Sequence, residues 1–206
     1  AACWIDLRTI WPLVDTMALS AHKFGGPKGV GILVVREGKY FEPTVLGGGQ
    51  ERDRRSGTHN VGGIVAAAEA LRITDVERGN EVARISALRD KLFAGLLAID
   101  GAHRTIPAEH SVPGIVHLCL QGIESESLLY LLDEVDVCAS AASACASGAM
   151  EPSHVLAAMG LSSDLTMGAL RLSLGHTTTE NDIDRAIEAI TDAVTRIRAI
   201  QNRRSL

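Results

Sequence analysis

The chain has 206 residues, 46% of them hydrophobic and 3% aromatic, with a formal net charge of -5 at pH 7. This length and apolar content suffice for one good core, or for part of a domain together with a smaller domain. The negative charge gives no general reason to bind nucleic acid or an anionic membrane, and no apolar run reaches membrane-spanning length, so we expect neither partner.

The first informative segment places one lysine between two apolar, partly β-branched runs. Residues 14–19 and 30–35 have the composition of strands, and Lys23 lies in the glycine-rich turn between them. Gly25 and Gly26 let the backbone turn tightly and approach a ligand closely. This setting suits a lysine that forms a Schiff base, although a solvated lysine in a surface turn is the alternative.

The second segment, residues 47–60, runs directly into an alanine-rich stretch with helical spacing at 61–73. Free backbone amides and the helix dipole favour an anion at such a helix start, and we expect a phosphate there. Hydroxyls and arginines that could assist are Ser56, Thr58, Arg52, Arg54 and Arg55. The alternative is ordinary capping of the helix by Thr58 or Asn60.

The third segment, residues 140–154, is a run of small residues around Cys145. Small side chains cannot anchor a loop by burial, so we expect a mobile and accessible thiol, with a structural cysteine as the alternative. The segment ends at a predicted helix start, where Ser153 could cap residues 155–159.

Beyond the second segment, Gly79 and Asn80 predict a break that separates two domains, residues 1–78 and 79–206. The second part alternates helical and strand-like patterns, which predicts a small α/β domain. We expect helices at 82–99, 125–133, 153–159 and 179–203, and strands at 114–120 and 169–174. Thr179 with the acidic residues after it resembles a capped start of the closing helix.

The four cysteines argue against a disulfide framework. Cys3, Cys119, Cys138 and Cys145 are widely spread, no CxxC pair exists, and the histidines form no metal-binding motif. A reducing, cytoplasmic compartment is therefore expected. Cys119 alternates within a strand-like run and is predicted to be buried.

Together these segments resemble a known family. SAHKFGGPKGVG at 20–31, GGGQERDRRSGTHN at 47–60, SAASACASGAMEPSHVL at 140–156 and LRLSLGHTT at 170–178 are similar to motifs of the cysteine desulfurases of the NifS and IscS type. These are pyridoxal-phosphate enzymes of the class V aminotransferase group, and the long cysteine segment resembles the NifS/IscS branch more than the SufS branch.

The resemblance implies an α/β fold, the PLP-dependent transferase fold type I. Residues 1–78 would be the C-terminal part of the large domain, which binds pyridoxal 5'-phosphate, and 79–206 the small domain that carries the cysteine loop. Residues 5–7 align just after the family's Asp and Gln that hold the cofactor ring. We therefore expect the chain to correspond to the C-terminal half of such an enzyme.

The resemblance also implies roles for single residues on the cofactor side. Lys23 would hold the cofactor and shuttle protons, while Ser20 and His22 would contact its phosphate. Thr58 would reach a phosphate across the interface of a homodimer. For His22 the alternative is a packed turn residue.

On the substrate side, Arg171 would pair with the carboxylate of L-cysteine, and a strand-edge salt bridge is the alternative for this arginine. Cys145 would take the substrate sulfur as a persulfide and pass it to an iron-sulfur scaffold or another sulfur-acceptor protein. A transient contact of Cys145 with an iron-sulfur cluster would be its one metal contact. Other readings are a truncated, catalytically incompetent fragment that acts as a binding module, or a related selenocysteine lyase.

Overall fold

The computed structural model describes residues 3–141 and 153–204. The chain divides into two compact units, Ala1–Glu81 and Val82–Leu206, which we call the first and the second unit. This division lies close to the predicted one at residue 78. The assignment of the units to the large and small domains of the resembled family stays a prediction.

The first unit is built around a two-stranded antiparallel ribbon. Its elements are α1 (Leu7–Ile10), a 3-10 turn (Trp11–Leu13), β1 (Thr16–Ser20), a second 3-10 turn (Ala21–Phe24), β2 (Gly31–Val35), the distorted α2 (Gln50–Asp53) and the start of α3 (Val61–Leu97). Thr16 pairs with Val35 and Ser20 with Gly31. Both strands predicted around Lys23 are therefore confirmed.

A small apolar cluster holds the first unit together. Ala21, Phe24 and Ala67 are buried, and partly buried side chains from both strands and from α3 pack against them. Two of the three buried residues belong to the turn between the strands, so this turn is part of the core rather than an unsupported surface loop.

Helix α3 contradicts the predicted break at Gly79 and Asn80. It runs without interruption from Val61 to Leu97, and the division between the two units falls inside it. A single glycine costs a helix only about 1 kcal/mol, which strong neighbouring helix formers outweigh. Arg78, only 8% exposed, also donates a 2.6 Å hydrogen bond to Asp75 one turn earlier.

The second unit contains a three-stranded antiparallel sheet and four further helices within its described residues. The elements are β3 (Ala102–Arg104), β4 (Ile115–Leu120), α4 (Ser125–Asp133), α5 (His154–Ala158), α6 (Ser163–Thr166), β5 (Ala169–Ser173) and α7 (Glu180–Arg204), with a 3-10 turn at Ala108–His110. The sheet has the order β3-β4-β5, so β4 is central. The strands predicted at 114–120 and 169–174 are confirmed.

Strands β4 and β5 present a buried apolar face on one side of this sheet. Val116, Leu118, Leu120, Leu170 and Leu172 are at most 5% exposed, and buried side chains of α3, α4 and α7 complete the core. Burial of each such leucine stabilises the fold by roughly 1.5–3 kcal/mol. Because the side chains of a strand alternate between faces, this apolar face fixes which residues lie on the other one.

The connection from β5 to α7 is held by polar contacts. Arg84 on α3 donates to the carbonyls of Thr178 at 2.7 Å and His176 at 2.9 Å. Helix α7 starts with a reciprocal cap: the Asp182 N–H donates to the Thr179 hydroxyl oxygen, and the Asp182 carboxylate accepts the Thr179 N–H at 2.9 Å. The Thr179 hydroxyl also donates to this carboxylate at 2.7 Å, and together with the Thr179 N–H it lowers the pKa of Asp182. The capped start predicted at Thr179 is confirmed.

We predict that Gly168→Ala destabilises the second unit by about 2 kcal/mol or more. Gly168 accepts the N–H of Leu120 at 2.9 Å, and a Cβ at this position would lie 2.9 Å from the carbonyl carbon of Leu120 and 3.0 Å from the Ile123 carbonyl oxygen. Urea unfolding followed by circular dichroism measures the effect.

Gly79→Ala is the matched control. No atom lies within 4 Å of a Cβ added there, inside the exposed middle of α3, so alanine should stabilise the chain by up to about 1 kcal/mol. Equal midpoints for the two variants would contradict the described packing around Gly168.

Candidate active site

The turn that carries Lys23 is a 3-10 helix, Ala21–Phe24, rather than the irregular loop predicted from sequence. With three residues per turn, Ala21 and Phe24 face the core, while His22 and Lys23 are exposed. The turn ends at Gly25, which has a left-handed φ of 84°. Burial of the flanking residues therefore forces the lysine outward.

The backbone of this turn is fixed from several sides. The Gly26 N–H donates to the Ala21 carbonyl at 2.9 Å, the Thr74 hydroxyl to the Phe24 carbonyl at 3.3 Å, and the Cys3 thiol to the Lys23 carbonyl at 3.2 Å. A Cβ on Gly26 would lie 3.0 Å from the Ala21 carbonyl oxygen, so glycine is required there. Burial raises the pKa of Cys3, which keeps this thiol a structural donor.

The side chains around the turn are free to bind a ligand. Within the described residues, the Lys23 amine, the His22 ring and the half-buried Ser20 hydroxyl make no hydrogen bond or ion pair with the protein. An amine, an imidazole and a hydroxyl thus lie within four consecutive positions, Ser20 to Lys23, at the end of β1 and in the turn that follows it. This donor set fits a phosphorylated aldehyde, because the amine can bind the carbonyl carbon and the other groups can donate to phosphate oxygens.

The predicted phosphate loop is arranged differently from expectation. Asn60, and not Thr58, caps α3, because its side-chain oxygen accepts the Gly63 N–H at 3.0 Å. The Ser56 hydroxyl, expected to assist phosphate binding, donates its proton to the Gly48 carbonyl at 2.6 Å. Thr58 is exposed and its hydroxyl has no partner within the residues that the structure describes.

The arginines of this loop differ in whether their guanidinium groups contact other described residues. Arg54 lies over the ring of Phe41, 5.9 Å from its centroid, and Arg55 donates to the Ser56 carbonyl at 2.8 Å. His59 lies 3.4 Å from the carboxylate of Glu51, which has a left-handed backbone with a φ of 50°. Arg52 extends into solvent without such a contact among the described residues.

The start of α3 lies close to the lysine turn within the first unit. A Cβ added to Gly63 would lie 2.8 Å from a methyl of Val30, and the Val30 carbonyl accepts the Ala21 N–H at 3.0 Å. The start of this long helix therefore lies beside Val30, which directly precedes β2 and is hydrogen-bonded to the first residue of the Lys23 turn. A helix N-terminus next to a cationic turn favours an anion such as phosphate.

In the second unit, Arg171 occupies the middle of β5 and is half-buried. It pairs with His117 on β4, and on its other side it exchanges two backbone hydrogen bonds with Ser140, at 2.8 and 3.0 Å. Among the described residues no carboxylate lies within 4.0 Å of its guanidinium, so the salt bridge named as its alternative is not observed there. The charge of Arg171 is available to a ligand carboxylate.

His117, which pairs with Arg171 across β4 and β5, was not singled out from the sequence. Burial lowers the pKa of His117, and the Arg171 cation lowers it further. The Thr105 hydroxyl lies 2.9 Å from its Nδ1 atom. The one usable signal was the position of a histidine among apolar residues in a predicted strand, which by itself does not distinguish a core residue from a functional one.

The predicted catalytic residue Cys145 lies outside the described residues, but both flanks of its segment are described. Ser140 pairs with β5, and Ser153 precedes α5, whose Leu156 packs with Cys119 and Ala169 of β4 and β5. Ser153 occupies the predicted capping position, although its side chain makes no cap hydrogen bond. Both described flanks of the cysteine segment therefore lie at the sheet that holds Arg171.

Within residues 3–141 and 153–204, no three histidine, cysteine or acidic side chains group as a metal site. The described helices include none that is long and apolar enough to cross a membrane.

We predict that Cys119 resists alkylation in the folded chain while Cys138 reacts. Cys119 is fully buried, and burial raises its pKa to about 11, so only about one thiol in a thousand is ionised at pH 8. Cys138 is exposed. Timed iodoacetamide labelling with peptide mapping should show Cys119 modified only after unfolding, and labelling at equal rates in the native chain would contradict the described core.

Comparison with known proteins supports the similarity suggested by the motifs. Residues 6–186 match the family model of the class V aminotransferases. The chain is 41% identical over 185 residues to "Cysteine desulfurase IscS" of Methanosarcina thermophila, covering 90% of this chain and 46% of that protein. It is 42% identical over 191 residues to an "IscS-like cysteine desulfurase" of Mycobacterium tuberculosis, covering 90% and 48%.

Solved structures give the same result. A "NIFS-like protein" superposes with a TM-score of 0.78 at 38% identity, covering 88% of this chain and 47% of that one. A NifS-like protein from Rickettsia africae superposes with a TM-score of 0.79 at 26% identity, covering 88% and 48%. The α/β fold class predicted from sequence, that of the NifS-like enzymes, is confirmed.

The chain spans about half the length of the curated relatives it matches. The family match nevertheless covers most of the chain and includes Lys23, Thr58, Cys145 and Arg171. The chain therefore belongs to the aminotransferase class V family.

Proposed function

We propose that this chain carries the cofactor lysine, the substrate arginine and the sulfur-accepting cysteine of a pyridoxal-phosphate-dependent cysteine desulfurase. The observation that carries the proposal is the rigid turn of residues 21–24, which is hydrogen-bonded to Val30 beside the start of α3 and leaves the side chain of Lys23 exposed. The curated relatives named cysteine desulfurase support L-cysteine as the substrate, and they do not favour a selenocysteine lyase or an inert fragment.

The residues of the first unit fit pyridoxal 5'-phosphate. When bound, this cofactor supplies an electron sink that stabilises negative charge on the substrate carbon next to the amine. Lys23 would bind the cofactor through Nζ and later move a proton at that carbon. Ser20 and His22 would donate to the phosphate, and Thr58 would donate to a phosphate across the interface of a homodimer.

Arg171 would orient the substrate through its carboxylate. A guanidinium binds a carboxylate through two parallel hydrogen bonds, which fixes the direction of the rest of the amino acid. The half-buried position of Arg171 on a central part of β5 strengthens this pairing compared with a fully solvated arginine.

Cys145 would accept the sulfur. Its thiolate attacks the sulfur atom of L-cysteine, the new S–S bond forms as the bond from sulfur to the substrate carbon breaks, and the electron pair stays with the substrate. The substrate carbon then takes up a proton to give L-alanine, and Cys145 carries a persulfide. Thus one cysteine and one thiol give one alanine and one persulfide, without an external oxidant or reductant.

The persulfide would then pass to a sulfur-acceptor protein in the cytoplasm, an iron-sulfur scaffold or a thiolation factor. If the acceptor is an iron-sulfur scaffold, Cys145 would transiently contact the iron-sulfur cluster. Exposed apolar side chains on the first unit support further protein contacts there. They include Leu33 at 53%, Val61 at 65%, Val65 at 62% and Val76 at 72% exposure.

We predict that L-cysteine adds one sulfur atom to Cys145 when the chain is incubated with pyridoxal phosphate. Peptide mass mapping under non-reducing conditions locates the sulfur, and amino-acid analysis measures L-alanine in equal amount. Cys145→Ser should abolish both products. Cys138→Ser, which removes the exposed thiol seven positions earlier, should leave them unchanged.

Sulfur found on Cys138 in the native chain, or alanine formed equally by the Cys145→Ser variant, would contradict the assignment of Cys145. Absence of both products from the chain loaded with cofactor would contradict the proposed activity itself.

A further inference from the structure

Three polar side chains, those of Thr105, His117 and Arg171, form a row on one face of the sheet in the second unit. His117 on β4 stands directly opposite Arg171 on β5. Arg104, the last residue of β3, pairs with Leu118 and therefore lies on the other face, and the residue after it, Thr105, continues this register to His117. Residues opposite each other in antiparallel strands have their Cβ atoms about 4.5–5.5 Å apart, so the side chains of His117 and Arg171 leave the sheet side by side.

Thr105 fixes the ring of His117. Its hydroxyl oxygen lies 2.9 Å from Nδ1 and 3.1 Å from the carbonyl oxygen of His117. The hydroxyl has one proton, so when it donates to the carbonyl, Nδ1 carries a proton and donates to the threonine oxygen. That tautomer leaves a lone pair on Nε2, which suits a ring beside a cation.

The surroundings favour the uncharged form of His117. Burial lowers its pKa below the ordinary value, and the neighbouring Arg171 cation lowers it further. Arg171 is the one charged side chain in the described part of the chain whose field shifts this group. A neutral ring next to Arg171 neither repels the guanidinium nor neutralises it.

We infer that His117, held by Thr105, is a positioning residue for Arg171: its ring restrains the guanidinium from the β4 side and leaves the positive charge for the substrate carboxylate. Ser140 borders Arg171 on the opposite side through two backbone hydrogen bonds. Arginine side chains lose much rotational freedom on binding, so a guanidinium restrained in advance binds a carboxylate more tightly. The identity of the ligand rests on the proposed desulfurase function.

Nuclear magnetic resonance of the full chain tests the restraint directly. The Nε–H signal of Arg171, identified by its loss in Arg171→Gln, should have an order parameter of about 0.8 or above, as for rigid groups. In His117→Ala it should fall below about 0.6. Thr105→Val should lower it partly, while Thr105→Ser keeps the hydroxyl and should restore it.

His103→Ala is the matched control, because it removes an exposed imidazole from β3, two positions before Thr105. It should leave the Arg171 signal unchanged. The second readout is the pKa of His117, followed by its ring carbon shifts, which should rise in Arg171→Gln because the neighbouring cation is gone. Thermal melts establish that each variant is folded.

An unchanged order parameter in folded His117→Ala, or an unchanged His117 pKa in Arg171→Gln, would overturn the inference. Neither measurement needs cofactor, substrate or turnover. A failure of sulfur transfer to Cys145 with the coupling intact would therefore count against the proposed function and not against the positioning of Arg171.

Discussion

The register between β4 and β5 is the constraint on which the substrate side of the site depends. Side chains alternate between the two faces of a strand, so a slip of one residue would bury Arg171 in the core and expose Leu170. The fully buried leucines on the apolar face make such a slip costly. The same register brings His117 next to Arg171, and the pairing of Ser140 with β5 ties the start of the cysteine segment to the strand that carries the arginine.

In the first unit, the constraint is that the side chain of Lys23 stays exposed while the turn that carries it is fixed in the core. Ala21 and Phe24 anchor the 3-10 turn in the core, and the intervening residues must then face outward. Gly26 allows the turn to close onto Ala21, and Gly63 allows α3 to approach Val30. An exposed amine is therefore combined with a rigid backbone, which is what a group that must hold a cofactor requires.

Periodicity in the sequence was sufficient to predict the strands on both sides of Lys23, the central strands of the second unit and the capped start of α7. Periodicity failed to predict the structure where contacts between residues distant in the sequence determine it. Strand β3 has three residues, which is too short to show an alternating pattern of apolar residues. It forms because its backbone pairs with that of β4. Gly79 is tolerated inside the long helix α3. The Ser56 hydroxyl donates a hydrogen bond to the carbonyl of Gly48, eight residues earlier in the chain. The motif resemblance indicated Arg171, whereas His117 became visible only through the register of the sheet.

Borohydride reduction of the chain in the presence of pyridoxal phosphate, followed by peptide mass mapping, tests the central claim most directly. The account predicts one stoichiometric adduct, located on Lys23. This adduct should disappear in Lys23→Ala and persist in Lys28→Ala, which removes the other exposed lysine of the same glycine-rich turn. Labelling scattered over many lysines, or equal labelling of Lys28, would contradict the conclusion that the turn is a preorganised cofactor site.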